Sequence, residues 1–236
     1  MSIPTKIEYE VEPEPYYPSG DGEPMAETPI HVLAIMLLFE ALQDFFRTRP
    51  DVYTGSNMFW YWEKGNPAAR RAPDVMVIPG VGRADRRSFF SWKENGAVPA
   101  VIFEVASEKT WRENLEEKRR DYERLGVKEY FVFDPEAAYV RPPLRGFRLA
   151  KAAYRAVKAA ADGRLTSKQL GLHLAAEGRM LRLSDARTGE RVLTREECIA
   201  QERQRAEEER QRAQALEAEV ARLRALLDRA KNGNAE

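Results

Sequence analysis

VIFEVA at residues 101–106 and KEYFVFD at residues 128–134 are two apolar runs joined by SEKTWRENLEEKRRDYERLGV, residues 107–127. An uninterrupted apolar run of this length, broken only by Glu104, is the pattern of a strand buried on both faces. Between the runs, Asn114 followed three residues later by Glu117 predicts a helix cap, and Gly126 predicts the helix end, giving about three turns. Strand, helix and strand within about 35 residues predict a right-handed crossover with parallel strands.

Upstream, Thr28-Pro29 offers a cap and a first-turn proline. Val32, Ile35, Met36, Phe39, Leu42 and Phe46 then recur at helical spacing to about Arg47, flanked by Leu33, Leu37 and Leu38. This predicts a core helix buried on more than one side. Short extended segments follow at Asp51 to Thr54, Asn57 to Trp62 and Asp74 to Ile78. A hairpin is expected among them, joined through Lys64-Gly65-Asn66-Pro67 and beyond. Downstream, Phe147-Arg-Leu and Tyr154-Arg-Ala-Val alternate like edge strands, Leu170 to Ala175 fits strand or short helix, and Asp185 to Glu190 contains a turn.

At 236 residues the chain holds one good-sized core plus an appendage, or two small domains. The longest apolar run, Val32 to Phe39, is far shorter than the roughly 18 residues needed to cross a bilayer, so no membrane partner is expected. Cys198 is the only cysteine and no secretory start is visible, which points to a cytoplasmic protein without a disulfide framework. With one cysteine and only His31 and His173, zinc-finger and histidine-rich sites are excluded, and any metal must be held by oxygen.

The charges cancel overall, 38 against 38, but not locally. Residues 1–30 carry Lys6 against seven carboxylates, and residues 195–236 carry nine cations against ten anions. The middle is left with 28 cations and 21 anions, a surplus compatible with a phosphate-bearing partner. The expected organisation is an acidic, proline-rich leader at 1–27, extended or disordered, a folded domain at 28–194 with a less regular extension from 146, and a charged helix at 195–236. Ile199, Ala206, Ala213, Val220 and Leu227 fall seven apart, and Leu216 and Leu223 complete an apolar seam only in the C-terminal half. That half fits a coiled coil, and the charge run also fits a solitary solvated helix.

Three residues break the rules of their own elements. Glu104 sits inside the most apolar strand, where an unpaired carboxylate costs several kcal/mol unless a cation compensates it. Lys118, three residues after Leu115 and four before Tyr122, falls on the inward stripe of the crossover helix. Asp74, after Pro73, opens a strand expected beside them. Two carboxylates and a lysine on one sheet suit a magnesium-type ion that activates water against a phosphodiester, the lysine meeting hydroxide or phosphate charge. The bland readings are a buried ion pair for Glu104 and Lys118, and a strand start for Asp74. Phe59 to Trp62 either stack on bases or fill the core, and alternation puts half of them inside. Arg70, Arg71, Lys109 and Arg112 are the phosphate-contact candidates, with Arg119 beside them.

Pro73-Asp74, Glu104-Val105-Ala106-Ser107, Lys118 with Tyr122, and Tyr130 to Asp134-Pro135 resemble the putative restriction endonuclease family of the PD-(D/E)xK nuclease superfamily. The resemblance spans roughly residues 28–135, including Thr28-Pro29-Ile30-His31 and Gly55-Ser-Asn57-Met58-Phe59. It implies a restriction-endonuclease-like α/β fold, a mixed sheet flanked by helices, with the charged C-terminal helix as an extension. It implies a hydrolase cutting DNA with Mg2+ or Mn2+, with Asp74 and Glu104 as metal ligands, the Val105 carbonyl as a further oxygen, and Lys118 as the catalytic lysine. His31 and Tyr122 are accessory candidates, and a homodimer is expected. Two positions depart from the family pattern. Ala106 stands where the superfamily's lysine usually falls, so that role passes to Lys118. Asn114 stands where aspartate is usual, an exchange that a helix cap tolerates and a metal ligand does not. The alternative function is a catalytically inactive nucleic-acid-binding or coiled-coil interaction protein on a nuclease fold.

Overall fold

In the computed structural model, residues 14–20 and 27–233 are described, with side chains as far as Leu226. The remainder of the leader lies outside the described residues. By its contacts the chain divides into two units, Met1–Val192 and Leu193–Glu236.

The Thr28 hydroxyl accepts the His31 amide at 3.3 Å and Pro29 opens the helix, so α1 spans Pro29–Phe45. Strands β1 Val52–Ser56, β2 Trp60–Tyr61, β3 Arg70–Arg71, β4 Val75–Pro79, β5 Phe89–Phe90 and β6 Val101–Val105 follow. The crossover helix comprises α2 Trp111–Glu113, a π-helical turn Asn114–Lys118 and α3 Arg119–Arg124. Then come β7 Glu129–Phe133, β8 Leu144–Ala150, β9 Ala153–Ala156, β10 Leu165–Ser167, β11 Leu172–Glu177 and β12 Met180–Asp185.

The central sheet has six strands in the order β1-β4-β6-β7-β8-β9. Within it only β6 and β7 are parallel, as a helical crossover requires, so the fold is a mixed α/β sheet with flanking helices. Alternation along the strands splits the core into two clusters. Val75, Val77, Val101, Phe103, Phe131 and Phe133 pack with α1 and the β10-β11-β12 sheet. Met76, Ile78, Ile102, Tyr130 and Val132 point the other way, toward Tyr122 of the crossover helix and Trp60 of the small β3-β2-β5 sheet. Gly146 of β8 lies against the Phe131 ring, and a Cβ there would come within 2.7 Å of it.

Four expectations need correction. Helix α1 is buried on one side only: Val32, Leu33 and Met36 are exposed, because a single stripe of the helix packs against β1, β4, β6 and β12 and its back stays open. The β2 hairpin closes on Arg70–Arg71, while β4 turns away to pair with β1 and β6. Half of the aromatic run is interior, with Trp60 facing the core as alternation implies, but the opposite face is not open: Tyr61 is buried under Tyr17 of the leader. Asn114 is not a helix cap. The helix begins at Trp111, whose amide bonds the Ser107 carbonyl at 3.1 Å, and Asn114 lies buried within it.

The second unit contains α4, Arg195–Gly233. Thr194 and Glu197 bond each other's backbone amides, a reciprocal cap that starts the helix. Ile199, Leu216, Val220 and Leu223 are exposed along it, and the side chain of Leu227 lies outside the described residues.

Candidate active site

The antiparallel register of β4 and β6 sets Val75 opposite Phe103 and so brings Asp74, one residue earlier, to the level of Glu104. Both are buried carboxyls, Glu104 wholly so. The Asp74 Oδ2 accepts the Val105 amide at 2.6 Å, which locks its side chain over the end of β6. Glu104 is held at both oxygens: Lys118 Nζ donates to Oε2 at 2.8 Å and the Tyr122 hydroxyl donates to Oε1 at 2.7 Å. The crossover helix delivers both donors. Asn114, Lys118 and Tyr122 stand four residues apart on its inward row, and the π-helical turn between the first two widens the helix at that point.

These side chains converge on a cavity of about 340 Å³ that Glu27, His31, Asp74, Glu104 and Lys118 line together. Burial pushes Asp74 up to about 6, against the opposing pull of the Lys118 ammonium and the Val105 amide. Burial likewise pushes Glu104 up to about 7, with Lys118 opposing the shift and the Asp74 charge adding to it. Burial works against the Lys118 ammonium too, but Glu104 and Asp74 outweigh it and raise its pKa.

Other buried acids are different. The carboxylate of Glu129 takes Arg148, the Ser167 hydroxyl and two backbone amides, and that of Asp134 takes three backbone amides. Those acids are structural, with hydrogen-bond donors filling their lone pairs.

His31, predicted as an accessory residue, is buried at the cavity wall. Among the described residues neither ring nitrogen has a hydrogen-bond partner, and Nε2 lies 3.6 Å from Glu27 Oε1 and 4.0 Å from Asp74 Oδ2. Its pKa is lowered, chiefly by burial, so the neutral ring is favoured. The phosphate-contact candidates divide. Arg71 is committed to Asp121, with its Nε 2.9 Å from Oδ2. Arg70 donates to the Pro67 carbonyl at 2.6 Å and lies 4.8 Å above the ring of Phe59, a cavity-lining residue. Lys109 and Arg112 are exposed at the start of the crossover helix. Sequence reading missed Glu27, Ser19 and Gly20 as cavity residues. The one available signal was Glu27, an acid four residues before His31 and next to the cap of α1.

Among the described residues no group of three or more histidine, cysteine, aspartate and glutamate side chains forms a metal cage. Two neighbouring buried carboxyls with raised pKa values still fit a hard cation that keeps part of its water shell, as Mg2+ does.

No curated protein matches the chain. Among solved structures, a "putative nuclease belonging to DUF820 from Anabaena variabilis ATCC 29413" is 10% identical over 61% of this chain and 75% of that one, with a TM-score of 0.45. The family described as Uma2, "Putative restriction endonuclease", matches residues 7–183, which take in β1 to β11, the crossover helix and every side chain of the cavity. With 177 of its 236 residues matched, the chain belongs to the Uma2 putative restriction endonuclease family.

Proposed function

We propose that the protein is a divalent-metal-dependent endonuclease that hydrolyses phosphodiester bonds in DNA. The observation that carries this reading is the convergence of Asp74, Glu104 and Lys118 on one cavity from a strand start, a neighbouring strand and the crossover helix. Asp74 and Glu104 would hold Mg2+ or Mn2+, with the Val105 carbonyl as a further oxygen. The ion would supply positive charge to the phosphate and a water acidic enough to attack near neutral pH. The chain's own groups do the rest. Lys118 brings a second positive charge to the cavity, beside Glu104, where negative charge grows on the phosphate. Tyr122 fixes the Glu104 carboxylate by its hydrogen bond, and the Val105 amide fixes that of Asp74. Neutral His31 faces the same cavity with no competing hydrogen bond among the described residues, so it is suited to hold a water or a phosphate oxygen. Arg70, Lys109 and Arg112 are the proposed backbone contacts, and Arg71 serves the fold through Asp121.

Purified protein incubated with supercoiled and linear DNA tests the proposal. Nicking or cutting that needs Mg2+ or Mn2+ and disappears in Asp74→Asn and Glu104→Gln is the expected result. Nucleic acid bound but left intact under every metal would instead make the protein a binding module on a nuclease fold.

A further inference from the structure

The leader segment 14–20 is docked beside the cavity. The Tyr17 ring meets Tyr61 and Phe90 edge-on, with centroids 5.1 and 5.5 Å away, and lies tilted 5.3 Å from Trp92. Its hydroxyl accepts the Gly65 amide at 2.6 Å, and the Tyr61 hydroxyl donates to the Pro18 carbonyl. Glu14 pairs with Lys64 at 3.0 Å, and Ser19 and Gly20 reach the cavity wall itself.

The surface beneath the segment has its own chemistry. Lys93 lies 4.7 Å over the Phe90 ring, Arg70 lies 4.8 Å over Phe59, and Lys64 adds a third cation, paired with Glu14 of the segment. Aromatic faces interleaved with cations are what a single nucleic-acid strand uses, bases stacking on the rings and phosphates meeting the charges. Tyr17 sits on these rings as a base would, and Glu14 pairs with a cation of the kind a phosphate would meet. The leader as a whole is strongly acidic, with seven carboxylates in residues 1–30.

We infer that the segment Glu14 to Gly20 covers a track for a single nucleic-acid strand leading into the cavity, and that leader and strand compete for it. The inference rests on the nuclease reading for the identity of the cavity, and it adds the strand class and the means of restraint. Release of an internal competitor raises apparent affinity by the reciprocal of the fraction of molecules that it had left open.

The test uses the full chain in EDTA with a fluorescent oligothymidylate of about 20 nucleotides, read by anisotropy. Tyr17→Ala should bind it at least about fivefold more tightly than the parent. Adding Lys93→Glu to that variant should erase the gain. Glu14→Gln, which removes the exposed pair with Lys64 and adds no cation, should move binding in the same direction and serves if Tyr17→Ala fails to fold. Unchanged or weaker binding in the leader variants would overturn the inference, as would an equal gain for a duplex of the same length. A protein that gains affinity but never cuts DNA refutes the endonuclease reading and keeps the track. One that cuts and gains nothing does the reverse.

Discussion

Lys118 Nζ sits 2.8 Å from Glu104 Oε2 although fourteen residues separate them, because a parallel crossover returns the helix onto the strand it left. Glu104 is wholly buried and the Lys118 side chain is 13% exposed, so neither charge is fully solvated. Breaking a buried pair by removing one partner costs about 3–5 kcal/mol, so this pair constrains the structure as well as the chemistry.

The raised carboxyls set a pH dependence. Asp74 and Glu104 titrate near 6 and 7 in the folded chain, above their ordinary values of 3.8 and 4.5. The folded state therefore binds more protons than the unfolded state across that interval. Stability from these groups is greatest below about pH 4 and is lost as pH rises through 6 to 7. In EDTA the melting temperature should fall between pH 5 and 8, and Mn2+ should flatten the fall by replacing the proton. Asp74→Asn should shrink the slope. A metal-independent profile would remove the site.

Lys118→Met keeps the unbranched apolar stem, one atom shorter, and deletes its charge. With Mn2+ present the variant should fold and bind metal, while cleavage falls by about 100-fold or more. Calorimetry and a plasmid-nicking assay separate the two effects. Undiminished cleavage would move the role to another cation.

Much of this site is legible in the sequence, since a carboxylate in an apolar strand and a lysine on an inward helical stripe both violate local rules and so announce a partner. Asp74 is less legible, because an acid after proline is common, and only the β4–β6 register assigns it a partner. The start of the crossover helix is not legible in the local pattern. Asn114 and Glu117 mimic a cap, whereas the Ser107 and Thr110 hydroxyls, 2.9 Å apart, organise the turn that leads into the helix. The π-helical turn leaves no compositional mark. The prolines and charge of the leader give no sign of how Tyr17 binds, because that depends on Tyr61, Phe90 and Trp92 from distant segments. On α1, periodicity found the helix but not its exposed back, because a run of eight apolar residues does not reveal which face meets the sheet.

Gly146 has a packing role that sequence cannot show. An alanine Cβ would stand 2.7 Å from the Phe131 ring and 3.0 Å from Leu165, in a layer where both are buried. Gly146→Ala should destabilise the domain by about 1–3 kcal/mol, read as a lower midpoint in urea with an unchanged slope. A neutral result would mean that the ring has room to move.

The tail offers the sharpest test of how the chain is divided. Contacts separate Met1–Val192 from Leu193–Glu236, and α4 starts with its own reciprocal Thr194–Glu197 cap. Its apolar positions Leu216, Val220 and Leu223 are 67%, 45% and 51% exposed, so within this helix their burial is left to a partner surface. Spaced as they are, they match the seam of a short coiled coil. Ending the chain after Arg195 should leave a domain that melts cooperatively and still binds Mn2+. Any self-association of the full chain that runs through the tail should disappear in Leu216→Ser and Val220→Ser as it does in the truncation. Light scattering on the full chain, the truncation and the two substituted chains reads the oligomeric state. If the truncated chain is insoluble or molten, the division at residue 193 is wrong. If it dimerises as the full chain does, self-association belongs to the nuclease-like unit.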